Sequence, residues 1–127
     1  MKTVTRMLLL AALGAAPTAL RAQSVPEVAP RDAGTHIGET AKVCGRVQTA
    51  VYMGDRDRTP TVMRVGGTYP YERINVFIFG ENRSKFMPSP EDMYRGKDIC
   101  VTGMIDFMDG SASIEADAPS KIQITGP

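Results

Sequence analysis

Tryptophan is absent from this chain, histidine occurs once and cysteine only twice. No metal-binding Cys-x-x-Cys, glycine-rich phosphate loop or serine-nucleophile motif is present. A single histidine, His36, has no second strong ligand to share a zinc ion with, and it finds no free thiol for a nucleophile dyad if the two cysteines are bonded. A turn or capping role is the expectation for it, and no enzymatic activity is expected of the chain. An excess of either charge is missing too: the formal net charge is +1. Nucleic-acid binders usually carry a basic excess, so any such role would rest on a local patch.

Long apolar runs are also lacking. The longest stretch near the start, Met7 to Ala16, holds ten residues ("MLLLAALGAA"), about half of what a membrane-spanning helix needs. It follows Lys2 and Arg6 and precedes Pro17 and "ALRA", the layout of a secretory signal peptide covering residues 1–22 with cleavage after Ala22. No membrane span is expected, and the mature protein is expected in the periplasm or outside the cell. Removing the leader takes Lys2, Arg6 and Arg21 from the 15 basic residues and none of the 14 acidic ones, leaving 12 − 14 = −2. Two cysteines in an exported domain of this size suggest one disulfide, Cys44–Cys100. Closing that loop stabilises by roughly 4 kcal/mol on chain entropy.

The mature chain reads as one domain. Residues 23–34 ("QSVPEVAPRDAG") show no periodicity and are expected to form a flexible or extended arm ahead of a domain at 35–127. Thr40 to Val51 alternates as a strand, and "MGDRDRTP" is a charged loop. Thr61 to Val65 is a short strand, and Ile74 to Phe79 ("INVFIF") is the most apolar one. Pro88 and Pro90 limit the next stretch to short helical turns, best at Glu91 to Tyr94. Asp98 to Met108 and Ser111 to Ala116 are strands joined at Asp109-Gly110, a tight hairpin signal. Ile122 to Ile124 is a last extended piece.

One strand pattern appears twice. "GETAKVCGRV" and "GKDICVTGMI" share Gly, Val, Gly and a β-branched residue at matching offsets, with one cysteine in each. The expected inward faces are Ala41, Val43, Gly45, Val47 and Ile99, Val101, Gly103, Ile105. A mid-strand glycine lets a strand coil sharply around a small barrel. Both cysteines fall on the opposite face. If the two strands lie antiparallel and adjacent, the sulfurs can meet across a non-hydrogen-bonded pair.

Those two stretches, with "YPYERINVFIFG", the following "SKF" and the terminal "APSKIQI", resemble small exported bacterial OB-fold domains of the nucleic-acid-binding-like kind, over Thr35 to Ile124. The resemblance implies an all-β fold of small α content: a five-stranded Greek-key barrel with a short helical segment between strands 3 and 4. It also implies that strands 1 and 4 pair antiparallel. OB-folds bind on the face of strands 2 and 3, between the loops joining strands 1–2 and 4–5. That region offers Arg56, Arg58, Arg64, Tyr69, Tyr71, Arg73, Phe77 and Phe79, cations and aromatics of the kind single-stranded nucleic acid requires. "INVFIF" is apolar on both faces. Phe77 and Phe79 either form an outward stacking platform or lie under the arm, the 82–94 segment or a partner subunit, and the covered arrangement is the one expected.

Two further readings carry less. Asp55 and Asp57, and Glu115 and Asp117, are i, i+2 carboxylate pairs without the other ligands of a calcium loop. Six methionines follow the leader, and exported OB-fold copper carriers use Met and His. Their spacing is unclustered, so core gap-filling is expected and no cofactor or metal is assigned. The leading expectation is therefore a non-catalytic binding domain for single-stranded nucleic acid. A protein-interaction or scaffold module of the cell envelope comes second, and a periplasmic Cu(I) carrier a distant third.

Overall fold

The structure, a computed structural model, describes residues 14, 24–67 and 73–127. Apart from residue 14, the leader lies outside the described residues, as do Tyr69 and Tyr71. The elements are β1 (Thr40–Tyr52), β2 (Thr61–Gly66), β3 (Arg73–Ile78), α1 (Gly80–Arg83), α2 (Pro90–Tyr94), β4 (Asp98–Met108), β5 (Ser111–Glu115) and β6 (Ile122–Gly126). β1, β2 and β3 form an antiparallel meander, and β3 pairs in parallel with β5. β5 returns along β4, which pairs antiparallel with the first half of β1. The strands therefore close in a ring, 1-2-3-5-4-1, and the fold is a small all-β OB-type barrel. The last extended piece is a sixth strand on β4, beside its Asp98–Val101 half.

β1 serves two neighbours because it bends. Residues 40–46 pair with β4, residues 47–52 pair with β2, and the register slips by one residue between Val47 and Thr49. Such a bulge adds the local twist that carries one strand from one wall to the next. The two repeated glycines sit where a side chain has no room. A Cβ on Gly45 would stand 3.0 Å from the Gly66 nitrogen, and one on Gly103 would stand 2.7 Å from Ile114 Cγ2. Inside the ring Val43, Val47, Val65, Ile74, Val76, Ile78, Ile99, Val101, Ile105 and Ile114 are fully enclosed. Each contributes about 1.5–3 kcal/mol by leaving water.

Cys44 and Cys100 are directly opposed on β1 and β4, with Cα atoms 4.0 Å apart and their sulfurs bonded. The short Cα separation belongs to a non-hydrogen-bonded pair, where side chains stand closest. The bond lies across the seam that closes the ring.

The segment between β3 and β4 packs on the same core. Phe86 and Tyr94 meet edge-to-face at 6.1 Å, and burial pushes the Tyr94 hydroxyl above its ordinary pKa. Arg83 of α1 donates to both carboxylate oxygens of Glu91 (2.8 and 2.5 Å) and to Thr61 Oγ1 (2.7 Å). Its guanidinium also lies 3.9 Å from the centre of the Tyr52 ring. One arginine thus ties α1 to α2, β1 and β2.

The arm, expected to be flexible or extended, is docked from Pro26 onward, extended beside β1. The Val28 N–H donates to the Lys42 carbonyl and the Lys42 N–H to the Pro26 carbonyl, both at 2.9 Å. Val28 is buried, and Ala33 in the 3-10 turn Pro30–Thr35 is fully enclosed against β1, β2, β3 and β5. Two apolar side chains and an open ladder edge on β1 are what anchor it. His36 follows in a turn, where its Nδ1 contacts the Glu39 carboxylate and its N–H donates to the Ala33 carbonyl.

Candidate functional site

On β3 the side chains alternate, with Ile74, Val76 and Ile78 in the barrel core and Phe77 and Phe79 in a separate cluster with Val62. The outer face is laid out in rows by the strand register. Thr49, Arg64, Asn75 and Ser113 stand opposite one another across β1, β2, β3 and β5, forming a polar row. The next row is Val51, Val62, Phe77 and Glu115, apolar over three of its four positions. Gly66 and Arg73 are paired one step the other way.

The β1–β2 loop and the β4–β5 turn rise on either side of these rows. Between them lies a cavity of about 380 Å³, bounded by Val51, Met53, Val62 and Phe77 on its apolar side and by Arg56, Arg64, Arg73 and Asn75 on its polar side. Asp109 is the one carboxylate among its lining residues, against three guanidinium groups. The cavity is consequently a basic spot on a domain of almost balanced charge, as a local patch would have to be.

Its loops are tied together. Arg56 donates to Asp109 Oδ2 at 2.6 Å, joining the β1–β2 loop to the β4–β5 turn, and also reaches Met53 Sδ at 3.3 Å. Beside it, Arg58 lies 3.7 Å over the centre of the Phe79 ring and pairs with Glu81, with Glu115 at 3.9 Å. Arg58 and Thr59 both take positive φ (59° and 39°), the left-handed turn that brings the loop back over Phe79. The Gly80 N–H then donates to the Arg58 carbonyl at 2.8 Å.

The phenylalanines point out of the barrel and are nonetheless covered. Phe77 and Phe79 stack on each other with centroids 5.9 Å apart, at 3% and 8% exposure. Their cover is not the arm, the 82–94 segment or a partner subunit, as expected from sequence. It is Met53 and Arg58 of the β1–β2 loop and Met108 at the hairpin. Two outward rings that water would otherwise wet recruit the nearest thioethers and a guanidinium plane instead.

Of the residues singled out from sequence, Arg56, Arg64, Arg73 and Phe77 line this one cavity. Arg58 and Phe79 lie next to it as a stacked pair, engaged with each other. Sequence reasoning missed Asn75 and Asp109. The parity of "INVFIF" carried a signal for the first, since its one polar residue falls on the Phe face. It also missed Phe107, which is 62% exposed on the hairpin opposite Ala112. A cleft lined by Ala112, Arg31 and Arg73 adjoins that position.

The methionines divide. Met63 is in the core and Met53, Met93 and Met108 pack against apolar clusters, but Met87 and Met104 are 83% and 53% exposed and fill no gap. Glu115 and Asp117 line a groove with Asp106 and Lys121. Among the described residues no three His, Cys, Asp or Glu side chains gather as a metal site would require, and no helix is long and apolar enough to cross a membrane.

No protein-family model and no curated protein sequence matches the chain. A solved structure does: a chain assigned as an aspartyl-tRNA synthetase of Leishmania major Friedlin superposes with a TM-score of 0.53 at 10% identity. The match covers 85% of this chain and 22% of that one, so the protein spans under a quarter of the synthetase chain's length. At this identity the likeness is one of fold.

Proposed function

We propose that the protein is an exported, non-catalytic OB-fold domain that binds single-stranded oligonucleotide in the cavity on the outer face of β2 and β3. One observation carries the reading: Arg56, Arg64 and Arg73 converge on an apolar-floored cavity at the position OB-folds use for ligands. Phosphate oxygens meet the guanidiniums, and bases meet the apolar row of Val51, Val62 and Phe77. The fold shared with a chain assigned as a tRNA synthetase is in keeping with this ligand class. Export is supported by the leader pattern in residues 1–22 and by the Cys44–Cys100 bond.

Because Phe77 and Phe79 are capped, phosphate contact precedes stacking, and affinity is expected to be modest and electrostatic. Titration of fluorescent oligo-dT of about twelve nucleotides, a length within the OB-fold site-size range, tests the reading across a salt series. Each phosphate contact gives a log–log slope of about −0.7 on single strands. Arg64→Ala should flatten the slope by about that amount. Binding that ignores salt, or none at micromolar DNA, overturns the proposal. A protein-docking role is then favoured by β6, whose outer edge has no strand partner among the described residues and which bears half-exposed Ile124.

A further inference from the structure

We infer that Asn75 is the residue through which this cavity reads a nucleobase edge, so that the site takes a base-bearing nucleotide and not merely a polyanion. The inference rests on the oligonucleotide reading above and goes a step beyond it.

Asn75 is only 8% exposed, and its Oδ1 is buried with no hydrogen-bond partner among the described residues. Burying an amide oxygen in this way costs about 1–3 kcal/mol, which a folded chain ordinarily avoids. Packing does not call for an amide here. On its own face Asn75 stands between Arg73 and Phe77 along β3 and between Arg64 and Ser113 across the sheet. Neither Arg64 nor Ser113 bonds its oxygen, and "INVFIF" could have carried another apolar residue in its place. An isosteric leucine would fill the same volume without the penalty. The neighbouring buried hydroxyl shows the contrast: Ser113, directly across on β5, is fully enclosed, but its Oγ lies within hydrogen-bond distance of the Ser111 and Met108 carbonyls (3.0 and 3.3 Å) and so has an acceptor for its one proton. Asn75 is left with a buried, open acceptor.

Its position states what would satisfy it. Arg64 faces it on β2, Arg73 lies two residues back on the same strand face, and Phe77 two residues on. All four line the cavity. A ligand seated there has a cation for its phosphate at one side, an apolar wall for a planar ring at the other, and a carboxamide between them. The carboxamide offers an acceptor and two donors in one plane. Every nucleobase carries an N–H donor beside an acceptor on its Watson–Crick edge, the complement of that pattern. Thymine offers N3–H to Oδ1 and a carbonyl to Nδ2. A sulfate, a bare phosphate or a sugar–phosphate backbone offers no such edge. The cavity, about 380 Å³, is near the lower end of small-molecule sites at roughly 300–1,000 Å³, which suits a single nucleoside unit.

The experiment compares oligo-dT with an abasic strand of the same length and charge, on the full mature protein and on Asn75→Leu and Asn75→Ala. The wild-type protein should prefer the base-bearing strand by about tenfold, the range of one bidentate amide–base contact. Both variants should cut that preference by about fivefold or more, leaving only what the apolar wall contributes, with the salt slope unchanged because no phosphate contact is touched. Asn75→Leu should also melt no lower than wild type, which separates a reading role from a structural one. If leucine does not fold, Asn75→Ala carries the comparison. A preference undiminished in the variants overturns the inference and leaves oligonucleotide binding intact. A wild-type protein that binds dT and abasic strands equally also overturns it. Absence of binding to either strand overturns the underlying function instead.

Discussion

Asp109→Asn isolates the contact that joins the two loops beside the cavity. Arg56 Nη2 and Asp109 Oδ2 are 2.6 Å apart, yet their side chains are 43% and 50% exposed. Pairs so solvated are worth about 0–1 kcal/mol, so removing the carboxylate should cost little stability. The turn itself should survive. Asp109 and Gly110 have φ of 52° and 76°, and Asn-Gly is the pair most at ease when both central residues are left-handed. Binding should change in the other direction. Asp109 competes with an incoming phosphate for Arg56, and its charge repels that phosphate by about 1 kcal/mol at 4 Å in bulk water. Releasing Arg56 and deleting the repulsion should together tighten oligo-dT by about three- to tenfold at low salt. One more cation becomes available, so the log–log salt slope should steepen by about 0.7. Fluorescence anisotropy over a salt series reads both quantities, with thermal melts as the control for folding. Weaker binding by a variant that melts normally, or an unchanged affinity and slope, would refute the idea that the Arg56–Asp109 bridge competes with ligand.

Two further outcomes concern stability. Replacing both cysteines by serine reopens a loop whose ends are 56 residues apart, and should cost about 4 kcal/mol, or about 20 °C in Tm; a guanidinium-unfolding loss under about 1 kcal/mol would show that the β1–β4 ladder holds the seam unaided. The Glu91 carboxyl is held below its ordinary 4.5, chiefly by the hydrogen bond from Arg83. A depressed acid contributes stability above its unfolded pKa and loses it as pH falls through the folded one. The Tm gap between wild type and Glu91→Gln should therefore be full near pH 7 and close below about pH 4; a gap that is flat down to pH 3 would remove this pair from the acid limb.

The strands and the inward faces of β1 and β4 were legible in the chain because they follow from a two-residue alternation, and the tight turn because Asp109-Gly110 suits two left-handed residues. The shared glycine spacing and the common parity of Cys44 and Cys100 belong to the same local pattern. Once two strands solve the same bend, their register decides that the sulfurs meet. The docking of residues 26–35 was not legible: Val28 and Ala33 are isolated apolar residues among prolines and charges, and no period marks them. Only the barrel's open end and the free edge of β1 give them something to bury against.

For the site, the chain alone determined which strands carry the cations and aromatics, since a ring of this topology exposes one known face. Tertiary structure decided three things. Phe77 and Phe79 point outward, because one register sends Ile74, Val76 and Ile78 into the core. They are covered, because loops distant in sequence fold over them. And Asn75, one polar letter in an apolar strand, ends beside Arg64 and Arg73 with its oxygen unpaired. Alternation is a property of neighbours along the chain, whereas the cover of the phenylalanines comes from loops about 20 to 30 residues away and Arg64 reaches Asn75 from another strand, which no local pattern can report.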